Sequence, residues 1–419
     1  MDFVSRNITE QIVEALSDTP VVFLHGTRQT GKSTLVQAIA SDQYPARYIT
    51  FDNATVLTAA ARDPEGFLSG LEAPVVLDEV QRVPELFVAL KSAVDRDRIP
   101  GQYLLTGSAN VLLLPRLSES LAGRMEILAL WPLSQGELEG TSEGFIDALF
   151  AETMPDHRAA VPLERGEIID RTLRGGYPES VSRATARRRM AWFEAYVNTI
   201  VHREVRDLAN IDYLAEIPRL LRLLAARVSG QMNYTELANA LGLPQTTVKR
   251  YLSLLEMTYL LCPLSAWSPS LGKRLIKRPK IFLNDTGLVS YLIGMDKRRI
   301  EREPTLLGPL LENFVVMELR KQITWSRAQV QLFHFRTRKG QEVDIVLEDP
   351  SGQLVGIEVK AASTVRDQDL RGLLCLKDLV GERLRRGIVL YTGSERVPLG
   401  EGLLALPIAA LWQKASSDQ

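Results

Sequence analysis

Several features that would narrow the class of this 419-residue chain are missing from its sequence. It has only two cysteines, Cys262 and Cys375, both in apolar surroundings. That excludes a cysteine-built zinc site and makes a disulfide framework untenable, so a reducing cytoplasm is the expected compartment. An excess of one charge sign is also missing. The formal net charge is −1, so no global field draws the chain to nucleic acid or membrane, and any such surface must be local. No apolar run is long enough to span a bilayer, and no membrane partner is expected. The opening residues, MDFVSRNITEQIVEAL, lack the basic-then-apolar layout of a signal peptide. What remains is 45% hydrophobic and 24% charged, a globular composition with length for two or three domains.

The most informative stretch is Val21 to Leu35, VVFLHGTRQTGKSTL. An apolar strand runs into Gly26-x-x-x-x-Gly31-Lys32-Ser33 and then a helix, which is the P-loop pattern in its proper context. Such a turn aims backbone N–H groups and a helix dipole at one spot, which suits a polyphosphate. Residues Gly26, Thr27, Arg28, Gln29, Thr30, Gly31, Lys32, Ser33 and Thr34 are the expected nucleotide contacts. Lys32 is expected to reach the β- and γ-phosphates, and Ser33 to hold Mg²⁺.

Alternating strands and helices imply a parallel sheet with crossover helices, an α/β fold. The first helix lies within residues 1–18, with Ile8, Ile12, Val13 and Leu16 on one face, and Arg47 to Asp52 is a second strand. The next strand, Ala73 to Leu77, ends in Asp78-Glu79. Acids at the carboxyl end of a strand neighbouring the loop are the Walker B arrangement. Asp78 is expected to hold Mg²⁺ and Glu79 to polarise the attacking water. A fourth strand, Gln102 to Leu105, ends in Thr106-Gly107-Ser108; Asn110 to Arg124 reads as a helix and Met125 to Leu130 as a fifth strand.

This order of Walker A, Walker B, a strand ending in Thr-Gly-Ser and an Ala-Gly-Arg before the last strand resembles the AAA+ ATPases. It is closest to a prokaryotic branch with an Asp-Glu-Val/Ile-Gln Walker B and a C-terminal domain of unassigned function. The resemblance implies an ATPase core over residues 1–140 with ATP and Mg²⁺ as cofactors. It implies Ser108 or Thr106 as sensor 1. Arg124, or else Arg116, becomes the finger that reaches a neighbouring subunit's ATP, and hence the active form a homo-oligomer.

Residues 141–215 are expected to be a linker and helical lid: a loose, polar, proline-bearing connection with one short helix over 140–162, then Arg174-Gly175-Gly176-Tyr177-Pro178. Related ATPases carry a Gly-Gly-x-Pro turn there, and Arg174 is a candidate phosphate contact. A basic run from Arg183 to Arg189 opens a helix through Ile200. Residues 216–300 carry a helix-turn-helix pattern: a helix over Ile217 to Val228, a short helix near Asn233, the turn Gly242-Leu243-Pro244, then a helix opening at Gln245. It resembles the winged-helix family, which presents Gln245, Thr246, Thr247, Lys249 and Arg250 to DNA. Lys273, Arg274, Lys277, Arg278 and Lys280 cluster in the expected wing hairpin as a phosphate track.

Residues 301–419 read as helix, three strands, helix, strand. A hairpin between Glu342 to Glu348 and Leu354 to Lys360 places Asp344 beside Glu358 and Lys360. Two carboxylates and a lysine converging on adjacent strands suit metal-dependent phosphodiester cleavage. With Glu312 on the preceding helix they resemble the PD-(D/E)xK nuclease fold, that is, a restriction-endonuclease-like domain. Three roles are compatible with this order: an ATPase acting on DNA, an ATP-dependent switch or scaffold whose C-terminal domain binds without cutting, and a defence-type ATPase with a nuclease effector.

Overall fold

The computed structural model describes residues 3–108, 123–154, 163–200 and 216–413. Contacts divide the chain into two units, one of residues 5–133 with 253–260, the other of 1–4, 134–252 and 261–419.

The first unit is built on five parallel strands in the order β2-β3-β4-β1-β5. They are β1 (Val21–His25), β2 (Arg47–Thr50), β3 (Val75–Asp78), β4 (Tyr103–Gly107) and β5 (Met125–Ala129). β1, β3 and β4 are buried at every position, which is why they read as unbroken apolar runs rather than alternating ones. Helix α1 (Thr9–Asp18) buries Ile12, Ala15 and Leu16, and α2 (Lys32–Ser41) follows the glycine-rich loop. After β2 come α3 (Ala54–Arg62), capped by Asn53, and α4 (Pro64–Ser69), capped by Asp63; α5 (Leu86–Arg96) precedes β4. Phe23, Phe51, Leu77, Phe87, Leu90 and Leu105 form the centre of one core.

One expectation needs correcting. The acid-bearing β3 is not the immediate neighbour of the loop strand β1, because β4 lies between them. The hydroxyl residues ending β4 therefore lie between the ends of the two strands, while Ser33 still reaches Asp78 directly. The expected helix from Asn110 lies outside the described residues, Arg116 included; its last residues, Gly123 and Arg124, form a turn into β5.

In the second unit, the connection after residue 140 carries the one short helix expected there, Phe145–Phe150. Ser134 and Glu137 form a capping box on helix Gln135–Glu139, and helix Phe145–Phe150 buries Phe145, Ile146 and Leu149. Residues 155–162 lie outside the described residues. The Gly-Gly turn has a local reason. Gly175 takes φ +70°, and a Cβ there would sit 2.2 Å from Oδ1 of buried Asp285. The Gly176 N–H donates to the other oxygen of Asp285 at 2.6 Å.

Helix Glu216–Ala225 is followed by Tyr234–Leu241, capped by Asn233, then by Gln245–Met257. Antiparallel bridges then join Leu261 to Leu283, Leu264 to Lys280 and Gln231 to Lys280. Between the bridged segments stands a short helix, Leu271–Ile276, where a hairpin tip was expected.

The C-terminal sheet has the order β10-β11-β9-β8-β7-β6. Its strands are β6 (Gln331–Arg336), β7 (Glu342–Glu348), β8 (Leu354–Lys360), β9 (Leu384–Tyr391), β10 (Val397–Pro398) and β11 (Leu403–Pro407). β6, β7 and β8 are antiparallel, and β8 pairs β9 in parallel. With helices Leu307–Ile323 and Arg371–Val380 this is the helix and strand order read from the sequence, extended by β10 and β11. Among the described residues no helix is long and apolar enough to cross a membrane.

Candidate functional site

The glycine-rich loop is shaped by backbone positions that few side chains tolerate. Gly26 has φ +150°, and a Cβ there would stand 2.2 Å from the carbonyl oxygen of Leu130, so the loop can pass the end of β5 only as glycine. Gly31 is left-handed at φ +93°, as is Gln29 at +62°. Thr27 and Thr30 are buried, Arg28 is half-buried, and Gln29 and Thr34 are exposed. Lys32 is buried, with Nζ donating to the carbonyls of Gly26 and Thr27, each at 2.9 Å.

Beside the loop, Asp78 is 2% exposed and ringed by hydroxyls. Ser33 Oγ donates to Oδ1 at 3.0 Å, Thr106 Oγ1 donates to the same oxygen, and Tyr48 OH donates to Oδ2 at 2.7 Å. Burial, helped by Asp78, pushes the Tyr48 phenol up to about 12, so it stays a donor. A carboxylate and a hydroxyl in contact at a helix N-terminus form a hard-oxygen donor set that fits Mg²⁺.

Glu79 sits in the left-handed region at φ +62°. Its N–H donates to Thr106 Oγ1 at 3.1 Å. Its carboxylate accepts from Gln81 Nε2, which also donates to Ser108 Oγ at 3.1 Å. The two hydroxyls offered as alternatives for one role thus do different things. Thr106 touches both acids, and Ser108 reaches Glu79 through Gln81. The sequence reading gave no role to Gln81, although it sits in the quoted Asp-Glu-Val-Gln motif. Nor did it find Arg6, which is 7% exposed and donates to the carbonyls of Thr30 at 2.9 Å and Trp131 at 2.7 Å. His25, the last residue of β1, stacks on Tyr259 with centroids 4.8 Å apart. Burial, and then nearby Lys32, lowers its pKa to about 3, so the ring is neutral. Arg124 makes a two-point pair with Asp95 of α5, at 2.5 and 3.0 Å.

In the second unit the expected basic wing separates into two groups. Arg274 is not a solvent-facing cation. It pairs with Glu348 at 2.5 and 3.0 Å and lies over the rings of Trp267 and Phe333. Lys280 is 2% exposed and faces Glu312, Glu342 and Asp344. Lys273, Lys277 and Arg278 instead line a cleft of about 690 Å³ with Arg336 and Arg338. Gln245, Thr246, Lys249 and Arg250 are exposed and Thr247 is half-buried; Lys249 lies 5.2 Å over the Tyr234 ring.

β7 and β8 pair so that Asp344 stands beside Glu358. Glu312, Asp344, Glu358 and Lys360 all line one cavity of about 550 Å³. Asp344 Oδ2 accepts from the Val359 N–H at 2.9 Å, and Lys360 Nζ donates to Glu358 at 3.2 Å. Burial, then the Asp344 charge, pushes Glu312 up to about 8, and the same causes raise Glu358 well above the usual carboxylate range. Burial alone would lower Lys280; the acids around it, Glu312 first, overrule that and raise it. Among the described residues no group of three or more His, Cys, Asp or Glu side chains is placed to hold a metal ion.

Two proteins described as uncharacterized, Rv2008c of Mycobacterium tuberculosis and Mb2031c of Mycobacterium bovis, are each 32% identical to this chain over 417 residues, covering 99% of it and 86% of the relative. The chain belongs to their family. Within this family member, residues 18–139 match the AAA domain family, 165–299 a domain of unknown function (DUF8612), and 307–411 a second one (DUF4143). The AAA match makes the loop-bearing unit an AAA-type ATPase domain. Among solved structures, a Thermotoga maritima RuvB variant is similar at TM-score 0.32 and 20% identity, over 71% of this chain and 94% of its own. A DNA replication initiation factor is similar at TM-score 0.26 and 13% identity, over 76% and 92%.

Proposed function

We propose that the protein is a Mg²⁺-dependent ATP hydrolase that works on nucleic acid as a homo-oligomer. The observation that carries the reading is the contact of Ser33 with Asp78 at the start of α2, backed by Thr106 and flanked by Glu79. Residues Gly26 to Thr34 form the phosphate cradle, with Lys32 turning from the loop carbonyls to the phosphate oxygens. Ser33 and Asp78 would hold Mg²⁺, which when bound supplies charge neutralisation at the phosphates. Glu79 orients and deprotonates the attacking water, held in place by Gln81. Thr106 and Ser108 relate both acids to the nucleotide. In the oligomer, Arg124 leaves Asp95 and serves the neighbouring subunit's site.

Residues 216–300 act as a winged helix. The exposed Gln245, Thr246, Lys249 and Arg250 and the basic cleft of Lys273, Lys277 and Arg278 support contact with nucleic-acid phosphates. The test is the rate of ATP hydrolysis with and without single- and double-stranded DNA, together with the mass in solution with ATP. The reading expects DNA stimulation and an ATP-dependent rise in mass. A rate and mass indifferent to both would refute the nucleic-acid and oligomer parts.

A second reading concerns residues 301–419. The sheet order and the Asp344, Glu358, Lys360 cluster support a PD-(D/E)xK-like fold. The buried Lys280 among its acids favours a domain that binds its partner without cutting over a metal-dependent nuclease.

A further inference from the structure

The acids expected to hold a metal in the C-terminal domain do not fit one, because another side chain of the chain takes that position. We infer that Lys280 is a tethered cation standing where a divalent metal would sit, so that the pocket of Glu312, Asp344 and Glu358 excludes Mg²⁺ and Mn²⁺ while the lysine is seated. The ammonium lies 2.8 Å from Glu312 Oε1 and 3.4 Å from Asp344 Oδ1, and it also pairs with Glu342.

Three carboxylates from the helix Leu307–Ile323 and from β7 thus converge on one nitrogen. The lysine backbone is fixed, too. Its N–H donates to the Leu264 carbonyl at 2.9 Å, and its own carbonyl accepts from the Leu264 N–H at 3.0 Å. Further oxygens of the cluster are engaged as well: Asp344 Oδ2 by the Val359 N–H, Glu358 Oε2 by Lys360 and Glu342 Oε2 by Arg336. A divalent ion placed among these acids would meet a like charge at hydrogen-bond range, in surroundings that screen it poorly. Access is not the obstacle, since the acids line an open cavity of about 550 Å³. Lys280 itself is the barrier.

The inference deepens the binding-without-cutting reading. Its test uses no cleavage, so the two can fail separately. Mn²⁺ stoichiometry would be measured by electron paramagnetic resonance on the full chain without nucleotide, for wild type, Asp344→Asn, Lys280→Met and the double variant. Sites elsewhere in the chain contribute equally to all four. Wild type and Asp344→Asn should bind the same number of ions. Lys280→Met should gain one, lost again in the double variant, while Lys280→Arg, which keeps the charge, should gain none. A wild-type ion that disappears in Asp344→Asn overturns the inference, and so does a folded Lys280→Met with no gain. If Lys280→Met does not fold, the comparison of wild type with Asp344→Asn still decides.

Discussion

A lysine and nearby carboxylates are arranged in opposite ways beside the glycine-rich loop and in the C-terminal pocket. Beside the glycine-rich loop, Lys32 turns to the carbonyls of Gly26 and Thr27, and Asp78 is surrounded by the hydroxyls of Ser33, Tyr48 and Thr106. In the C-terminal pocket, Lys280 sits among the acids themselves. A hydroxyl gives up its contact with a carboxylate to a cation at little electrostatic cost and can itself become a ligand. An ammonium can do neither. The same residue types are therefore hydroxyl-partnered in one unit and self-neutralised in the other.

Removing a charged group from each place should break the contrast most sharply. Glu79→Gln should lower the ATP hydrolysis rate by about 10²- to 10⁴-fold while leaving nucleotide affinity near wild type, read by steady-state kinetics and equilibrium binding. Lys280→Met should cost about 3–5 kcal/mol of stability by leaving buried acids uncompensated, read as a shift in urea midpoint at constant slope. Next in size is Gln81→Ala. It frees the Glu79 carboxylate without removing it and should slow hydrolysis by up to about 100-fold with affinity intact.

A smaller effect separates the two groups of basic residues. Reversing Lys273 and Lys277 should weaken DNA binding and reduce its logarithmic salt slope by about 0.9 per lost phosphate contact. Reversing Arg274, held by Glu348, should act through stability instead.

The smallest effects are pH slopes, each reaching at most about 1.4 kcal/mol per pH unit, and they run in opposite directions. His25 titrates near 3 when folded against 6.5 unfolded, so the unfolded chain takes the proton first. Its contribution is whole above about 6.5 and is lost as pH falls toward 3. Glu143 accepts from Ser134 and Gly136 in a buried setting, and burial followed by the Glu318 charge raises it to about 8 from 4.5. Its contribution is whole below about 4.5 and is lost as pH rises through 8. Denaturant midpoints against pH should lose their acid slope in His25→Asn and their alkaline slope in Glu143→Gln.

What could be read in advance divides along the same line. The loop, the acid pair and the β7–β8 hairpin are legible because each is a short run whose spacing carries its own geometry. Gly26 and Gly31 announce backbone angles, and Asp78-Glu79 follows an apolar strand. Lys280 and Arg274 were misread because a cation in a basic stretch looks solvated; only pairings with Glu312 and Glu348, remote in sequence, bury them. The place of β3 was misjudged because strand order across a parallel sheet is set by crossovers, about which a local pattern says nothing. Gln81 and Arg6 were legible as residues but not as contacts.

Arg6 ties the chain ahead of α1 to Thr30 in the loop and to Trp131, where the polypeptide leaves β5. Arg6 thus acts as a clasp between the glycine-rich loop and the end of β5. Trimming the chain before Thr9, or bulking it there with a fusion partner, should leave the sheet intact yet slacken the grip on nucleotide. A preparation altered at that end could look well folded and idle, and its silence would say nothing about the native enzyme.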